Sequence, residues 1–148
     1  PEQDSYKINR NTIYDAEGLI SIDDKLLVFT KNRAQKITEL YLLPKSKGDY
    51  KAKKINTLNV KSIITGADYN KELKLLALTS TIDFIEYYII IIDDFNLENN
   101  KNYKIKMVEI PIGKTQVEAI KIIDRKNFWI TSEDESSSKH ARLLKLNI

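Results

Sequence analysis

A sixteen-residue pattern returns along this chain and constrains its fold more than any other feature. Asp15-Ala-Glu-Gly-Leu-Ile-Ser-Ile-Asp-Asp-Lys-Leu-Leu-Val-Phe-Thr30 comes back 101 residues later as Gln116-Val-Glu-Ala-Ile-Lys-Ile-Ile-Asp-Arg-Lys-Asn-Phe-Trp-Ile-Thr131. In that register Glu17 falls on Glu118, Gly18 on Ala119, Leu19 on Ile120, Asp23 on Asp124 and Thr30 on Thr131. A weaker copy, Thr65 to Thr79, begins about halfway between them and sets Gly66 at the Glu position. Each copy reads as two short apolar runs around a polar turn. A period of about 50 residues made of such strands is the sequence signature of propeller blades.

Each repeat divides into up to four strands. The first gives Glu17–Ile22, Lys25–Thr30, Thr38–Leu43 and Tyr50–Asn56, with Asp23-Asp24 as a tight turn because Asp tolerates left-handed backbone. The second gives Ser62–Tyr69, Leu73–Thr79, Glu86–Asp93 and Tyr103–Ile110. The third gives Val117–Ile123, Phe128–Thr131 and Ala141–Ile148, without a fourth. Tyr6-Lys-Ile8 resembles the openings Tyr50-Lys-Ala52 and Tyr103-Lys-Ile105, so residues 5–10 read as a spare outer strand.

The expected fold is therefore all-β. It is a β-propeller fragment of about three four-stranded blades, a single segment over residues 1–148 with repeats at about 14–57, 62–111 and 116–148. Propellers generally need about four to eight blades, and flanking blades would expose faces that neighbours normally bury. The chain thus reads as half of a six-bladed ring. Its partner is either a missing N-terminal half or a second copy whose N-terminal strand completes the third blade. The start at Pro1 rather than Met favours sequence removed or left out upstream. A β-sandwich or barrel with similar hairpins is the alternative fold.

Composition fits a soluble globular chain: 148 residues, 42% hydrophobic and 30% charged. A net charge of +3, with Lys interspersed among Asp and Glu, argues against nucleic acid as a partner. Lys51, Lys53 and Lys54 suit the solvent side of an edge strand. The apolar run Tyr87–Ile92 is too short to span a bilayer and too rich in β-branched residues for anything but a buried strand. With no Cys and a single His, His140, thiolate chemistry and a multi-His metal site are excluded. No G-x-S-x-G context or phosphate-cradling Gly pattern is present. Phe128 and Trp129 both read as core residues.

Chemistry would sit where the inner strands begin. Glu17 and Glu118 occupy one place in two repeats, and converging carboxylates can hold a hard cation such as Ca²⁺ or share a proton. Asp68 follows Gly66 on the same strand face and is a ligand-binding candidate in the middle repeat. The same carboxylates could instead accept hydrogen bonds from neighbouring strands. The segments after the second strands, Lys31-Asn32-Arg33, Ser80-Thr81 and Ser132-Glu133-Asp134, are polar and could rim the same opening. Asn32, Arg33 and Glu133 are its ligand-binding candidates, Arg33 as an anion clamp.

The phrases Asp15-Ala-Glu-Gly-Leu-Ile, Leu27-Val-Phe-Thr-Lys-Asn-Arg33, Ile64-Thr-Gly-Ala-Asp-Tyr-Asn70, Gln116-Val-Glu-Ala-Ile and Trp129-Ile-Thr-Ser-Glu133 carry a resemblance. They resemble the C-terminal half of uncharacterised exported propeller proteins of Gram-negative bacteria. More distantly, the Glu-Gly-aliphatic strand is similar to that of phytase-esterase-like and gluconolactonase-like propellers. The resemblance implies export to the periplasm, cell surface or medium, and envelope proteins as partners. In those relatives the inner-strand Glu helps hold a central Ca²⁺, which would carry over to Glu17 and Glu118; Gly66 departs from the pattern. Three functions follow as expectations: a non-enzymatic binding or assembly module, a Ca²⁺-dependent hydrolase or lactonase, and a carbohydrate- or peptide-binding propeller.

Overall fold

Eleven strands are present among the described residues, which are 12–98, 103–113, 115–133 and 141–148 of a computed structural model. They are β1 (Ala16–Ile22), β2 (Lys25–Thr30), β3 (Thr38–Pro44), β4 (Lys53–Leu58), β5 (Ile63–Asn70), β6 (Leu75–Ile82), β7 (Glu86–Ile92), β8 (Ile105–Glu109), β9 (Val117–Ile122), β10 (Asn127–Ser132) and β11 (Arg142–Asn147). They form three antiparallel sheets, ordered β1-β2-β3-β4, β5-β6-β7-β8 and β9-β10-β11. The all-β expectation holds. No helix is long and apolar enough to cross a membrane among the described residues. The spare strand expected at 5–10, and Asp134 and His140, lie outside the described residues.

The three sheets stack, with the first strands as the seam: β5 lies against β1 on one side and β9 on the other. The middle sheet is covered on both faces, and its sequence shows why. The run Ile89–Ile92 sends Ile90 and Ile92 into one core with Ile20, Leu27, Phe29 and Leu40. Ile89 and Ile91 enter a second core with Ile120, Ile122, Phe128 and Ile130. A strand with side chains alternating between two buried faces must be apolar throughout, whereas one with a wet face alternates.

All three seam strands carry a β-bulge at the same place. Pairing skips Glu17 between Ala16↔Thr30 and Gly18↔Phe29, skips Thr65 between Ile64↔Ser80 and Gly66↔Thr79, and skips Glu118 between Val117↔Ser132 and Ala119↔Thr131. A bulge adds one residue to one strand and bends it. The structural equivalents are therefore Glu17, Thr65 and Glu118, followed by Gly18, Gly66 and Ala119. This corrects the sequence register, which set Gly66 at the Glu position. The turns after β1, β5 and β9 contain two, four and four residues, and an alignment without gaps slips across that difference.

The glycine after each of the first two bulges is sterically required. A Cβ on Gly66 would stand 2.7 Å from the Glu118 carbonyl oxygen and 3.2 Å from Ala119 Cα of β9. One on Gly18 would stand 3.1 Å from Ala67 Cβ of β5. These positions set how closely neighbouring sheets approach.

Three further expectations are corrected. Trp129 is 39% exposed, while Phe128 and Ile130 beside it are buried, because alternate residues of β10 face opposite sides. The Tyr-Lys openings precede their strands. Tyr50 folds back to Ser46 with its hydroxyls 2.7 Å apart, and the Tyr103 hydroxyl donates to the Asn96 carbonyl at 2.6 Å while its ring packs on Phe95. Ser80 and Thr81 lie inside β6, fully buried, rather than on a polar rim.

Gly66→Ala tests the seam. The added methyl meets the Glu118 carbonyl oxygen as well as Thr79 Oγ1, each at 2.7 Å, and the backbone contact cannot be relieved by a rotamer change, so stability in urea is expected to fall by about 1–3 kcal/mol. An unchanged midpoint would show that β5 and β9 are not held at this distance.

Candidate functional site

The bulges of β1, β5 and β9 hold Glu17, Thr65 and Glu118, and Lys31 joins the first of them. Glu17 accepts a hydrogen bond from Lys31 Nζ at 3.0 Å, and the pair is asymmetric: the Lys31 side chain is 7% exposed and that of Glu17 33%. Lys31 follows β2, and its backbone N–H donates to the Asp15 carbonyl, which brings it beside the bulge. Its ammonium also lies 5.8 Å from the centre of the Phe84 ring, on the β6–β7 turn of the next sheet, within cation–π range. At the middle bulge Thr65 is buried and its hydroxyl donates to Thr79 Oγ1 at 3.1 Å. At the third, Glu118 is half-buried and engaged with its surroundings.

Opposite the residue before each bulge stand three buried hydroxyls, Thr30, Ser80 and Ser132. Thr30 Oγ1 accepts from the Glu39 N–H at 2.9 Å. Ser80 Oγ and Ser132 Oγ have no hydrogen-bond partner among the described residues. Their recurrence follows from the bulge, and the gapless sequence register conceals it.

These residues do not fit a Ca²⁺ site. Calcium takes six to eight oxygen ligands, and no group of three or more Asp, Glu or His side chains is placed to hold a metal among the described residues. At Glu17 an ammonium already sits where a cation would bind. The middle bulge contributes a hydroxyl, Thr65, instead of a carboxylate.

Asp68 joins two sheets. Its Oδ2 accepts the backbone N–H of Ile122 at 2.7 Å and its Oδ1 accepts Lys121 Nζ at 3.0 Å, both from β9. With its side chain only 17% exposed, this carboxylate satisfies a seam-strand N–H on the edge of β9 away from β10. Asn32 is buried and caps its own turn, accepting the Gln35 N–H at 3.0 Å and donating to Gln35 Oε1 at 3.1 Å. Arg33 is held by Asp15 at 2.5 Å. Glu133 is exposed, and its backbone closes the end of the last sheet through Gln116 and Thr115. The structure thus gathers Glu17 with Lys31, and Asp15 with Arg33, but makes no single cluster of Asp68, Asn32, Arg33 and Glu133.

A groove of about 440 Å³ lies elsewhere, on the first sheet, lined by Ile13, Tyr14, Glu39, Tyr41, Lys53 and Lys54. Within it Tyr41 donates to Glu39 at 2.8 Å and Lys54 pairs with the same carboxylate. Partial burial opposes ionisation of Glu39, but these two donors outweigh it and hold the carboxyl below its ordinary range. Burial, together with the hydrogen bond to Glu39, pushes the Tyr41 phenol well above its own.

Asp68→Ala removes the acceptor of a seam-strand N–H, and leaving such a group unpaired costs about 1–3 kcal/mol. Thermal unfolding should show that loss, with faster hydrogen exchange at Ile122. Asp68→Asn keeps an acceptor and should recover most of the stability. Equal loss in both variants would mean that charge, rather than the backbone bond, is what joins β5 to β9.

No protein-family model matches this chain, and no curated protein matches it at a significant level.

Proposed function

We propose that this chain is a β-propeller segment, half of a six-bladed ring, that acts without catalysis as a binding or assembly module of the bacterial envelope. The reading rests on one observation. Its two terminal sheets turn apolar side chains outward at positions whose equivalents are buried inside the stack. On the first sheet these are Leu19, 58% exposed, with Leu26, Val28 and Leu43 half-buried around it. On the last sheet they are Trp129 and Leu143, 64% exposed. Exposed apolar side chains grouped on one face mark an interaction site, here with Lys121 and Lys145 flanking Trp129 in register. The repeat supports a propeller, and the resemblance to exported propeller proteins supports an envelope location.

The polar groups at the bulges favour this reading over a Ca²⁺-dependent hydrolase. Glu17 pairs with Lys31, and Asp68 accepts a backbone N–H and an ammonium from β9, so both carboxylates already have partners within the fold. Fold-level likeness to hydrolytic propellers brings no chemistry with it.

Calorimetric titration with Ca²⁺ separates the two. The expected result is no saturable heat, and the same melting temperature with and without Ca²⁺. Saturable binding that disappears in Glu17→Gln would replace the assembly reading with the metal-dependent one.

A further inference from the structure

The bulge register assigns every position in one sheet an equivalent in the next, and it divides each sheet into two unlike faces. One face presses forward onto the following sheet: Ile20, Leu27, Phe29 and Leu40 in the first, Leu75, Ala77, Ile89 and Ile91 in the middle. The other receives the preceding sheet: Leu76, Leu78, Ile90 and Ile92 in the middle, Ile120, Ile122, Phe128 and Ile130 in the last. By that register Trp129 stands where Leu27 and Ala77 stand, and Leu143 where Leu40 and Ile89 stand. The last sheet therefore shows solvent a pressing face. The first sheet shows solvent a receiving face, in which Leu19, Leu26 and Val28 match Ala67, Leu76 and Leu78.

The chain thus carries both halves of an interface that it already makes twice. We infer that the outward face of the last sheet docks onto the outward face of the first sheet of a second copy, head to tail, so that two copies close a ring of six sheets. This rests on the propeller reading and names its partner. Side-chain size supports the match. Inside the chain, small Ala77 presses into the core that holds Ile122 and Phe128. At the open faces the sizes are exchanged: Trp129 is the pressing residue, and the positions of Ile122 and Phe128 are taken by Ser21 and Leu26. A contact between two unlike faces either closes after a fixed number of copies or grows without end, so closure is part of the claim.

Sedimentation velocity over a range of concentrations tests it, with Trp129 fluorescence, from the sole Trp, as a second readout. The expected species has twice the 17.2 kDa chain mass. It should dissociate on dilution, with the emission of Trp129 shifting to the red. Trp129→Lys and Leu19→Lys should each weaken association by about a hundredfold while leaving the thermal unfolding of the monomer unchanged. Leu143→Lys repeats the test on the pressing face should Trp129→Lys fail to fold. Mixing the two single variants should restore partial pairing, because each then keeps one intact face for the other. A 17.2 kDa monomer at every concentration overturns the second copy as occupant, while the assembly reading keeps its separate Ca²⁺ test. A dimer indifferent to Leu19→Lys overturns the head-to-tail arrangement, and open-ended polymers overturn closure.

Discussion

The close approach of backbones along the seam governs the rest of this structure. A β-sheet face can bury its apolar side chains only if another layer comes within about 10 Å of it. Here the distance is fixed at one end by Gly18 against Ala67 and by Gly66 against Glu118 and Ala119. The bulge before each of these residues bends the strand, and the missing or minimal side chain admits the neighbour. With the layers at that spacing, Leu27, Phe29, Leu76, Leu78, Ile90 and Phe128 are almost wholly removed from water. At roughly 1.5–3 kcal/mol for each fully buried large apolar side chain, those two cores supply far more of the stability than any charge pair on the surface.

Ion pairs then link the turns of layers that are already held by apolar packing. Lys71 on the β5–β6 turn meets Asp23 on the β1–β2 turn at 2.6 Å, and Arg125 on the β9–β10 turn reaches Asp93 at 2.6 Å and the Leu73 carbonyl at 2.8 Å. These pairs are more than half exposed on both sides, and such pairs contribute at most about 1 kcal/mol. Asp68 differs because it is mostly buried and accepts a backbone N–H. The same geometry that makes it an effective link between sheets removes it from the set of groups free to meet a ligand.

Much of the fold could be read from the chain, and the losses have specific causes. Strand β2 was legible from end to end, since Lys25 follows a turn in which Asp23 adopts φ +50°. The doubly buried β7 was legible from four consecutive Ile residues. The facing of Trp129 was not, because Phe128-Trp-Ile130 is apolar at every position and gives no sign of which residues turn outward. The equivalence of Glu17 with Glu118 was legible, whereas Thr65 as the third member was hidden by unequal turn lengths. Lys31 was visible only as one polar residue among neighbours. Its burial against Glu17 depends on the chain reversing through β1 and β2 and on Phe84 arriving from another sheet.

Repetition in this molecule preserves backbone geometry more strictly than chemistry. The bulge carries Glu, Thr and Glu, and two residues beyond the small position stand Ile20, Asp68 and Lys121: a buried aliphatic, an acceptor linking two strands, and that acceptor's cationic partner. The side chains at equivalent positions therefore differ in charge and in role. Faces behave differently, because a packing surface needs only shape and low polarity, and side chains of several kinds can supply both. The property repeated faithfully from sheet to sheet is thus the capacity of one face to receive another. Among the described residues, two such faces, one of each kind, are exposed at the ends of the stack.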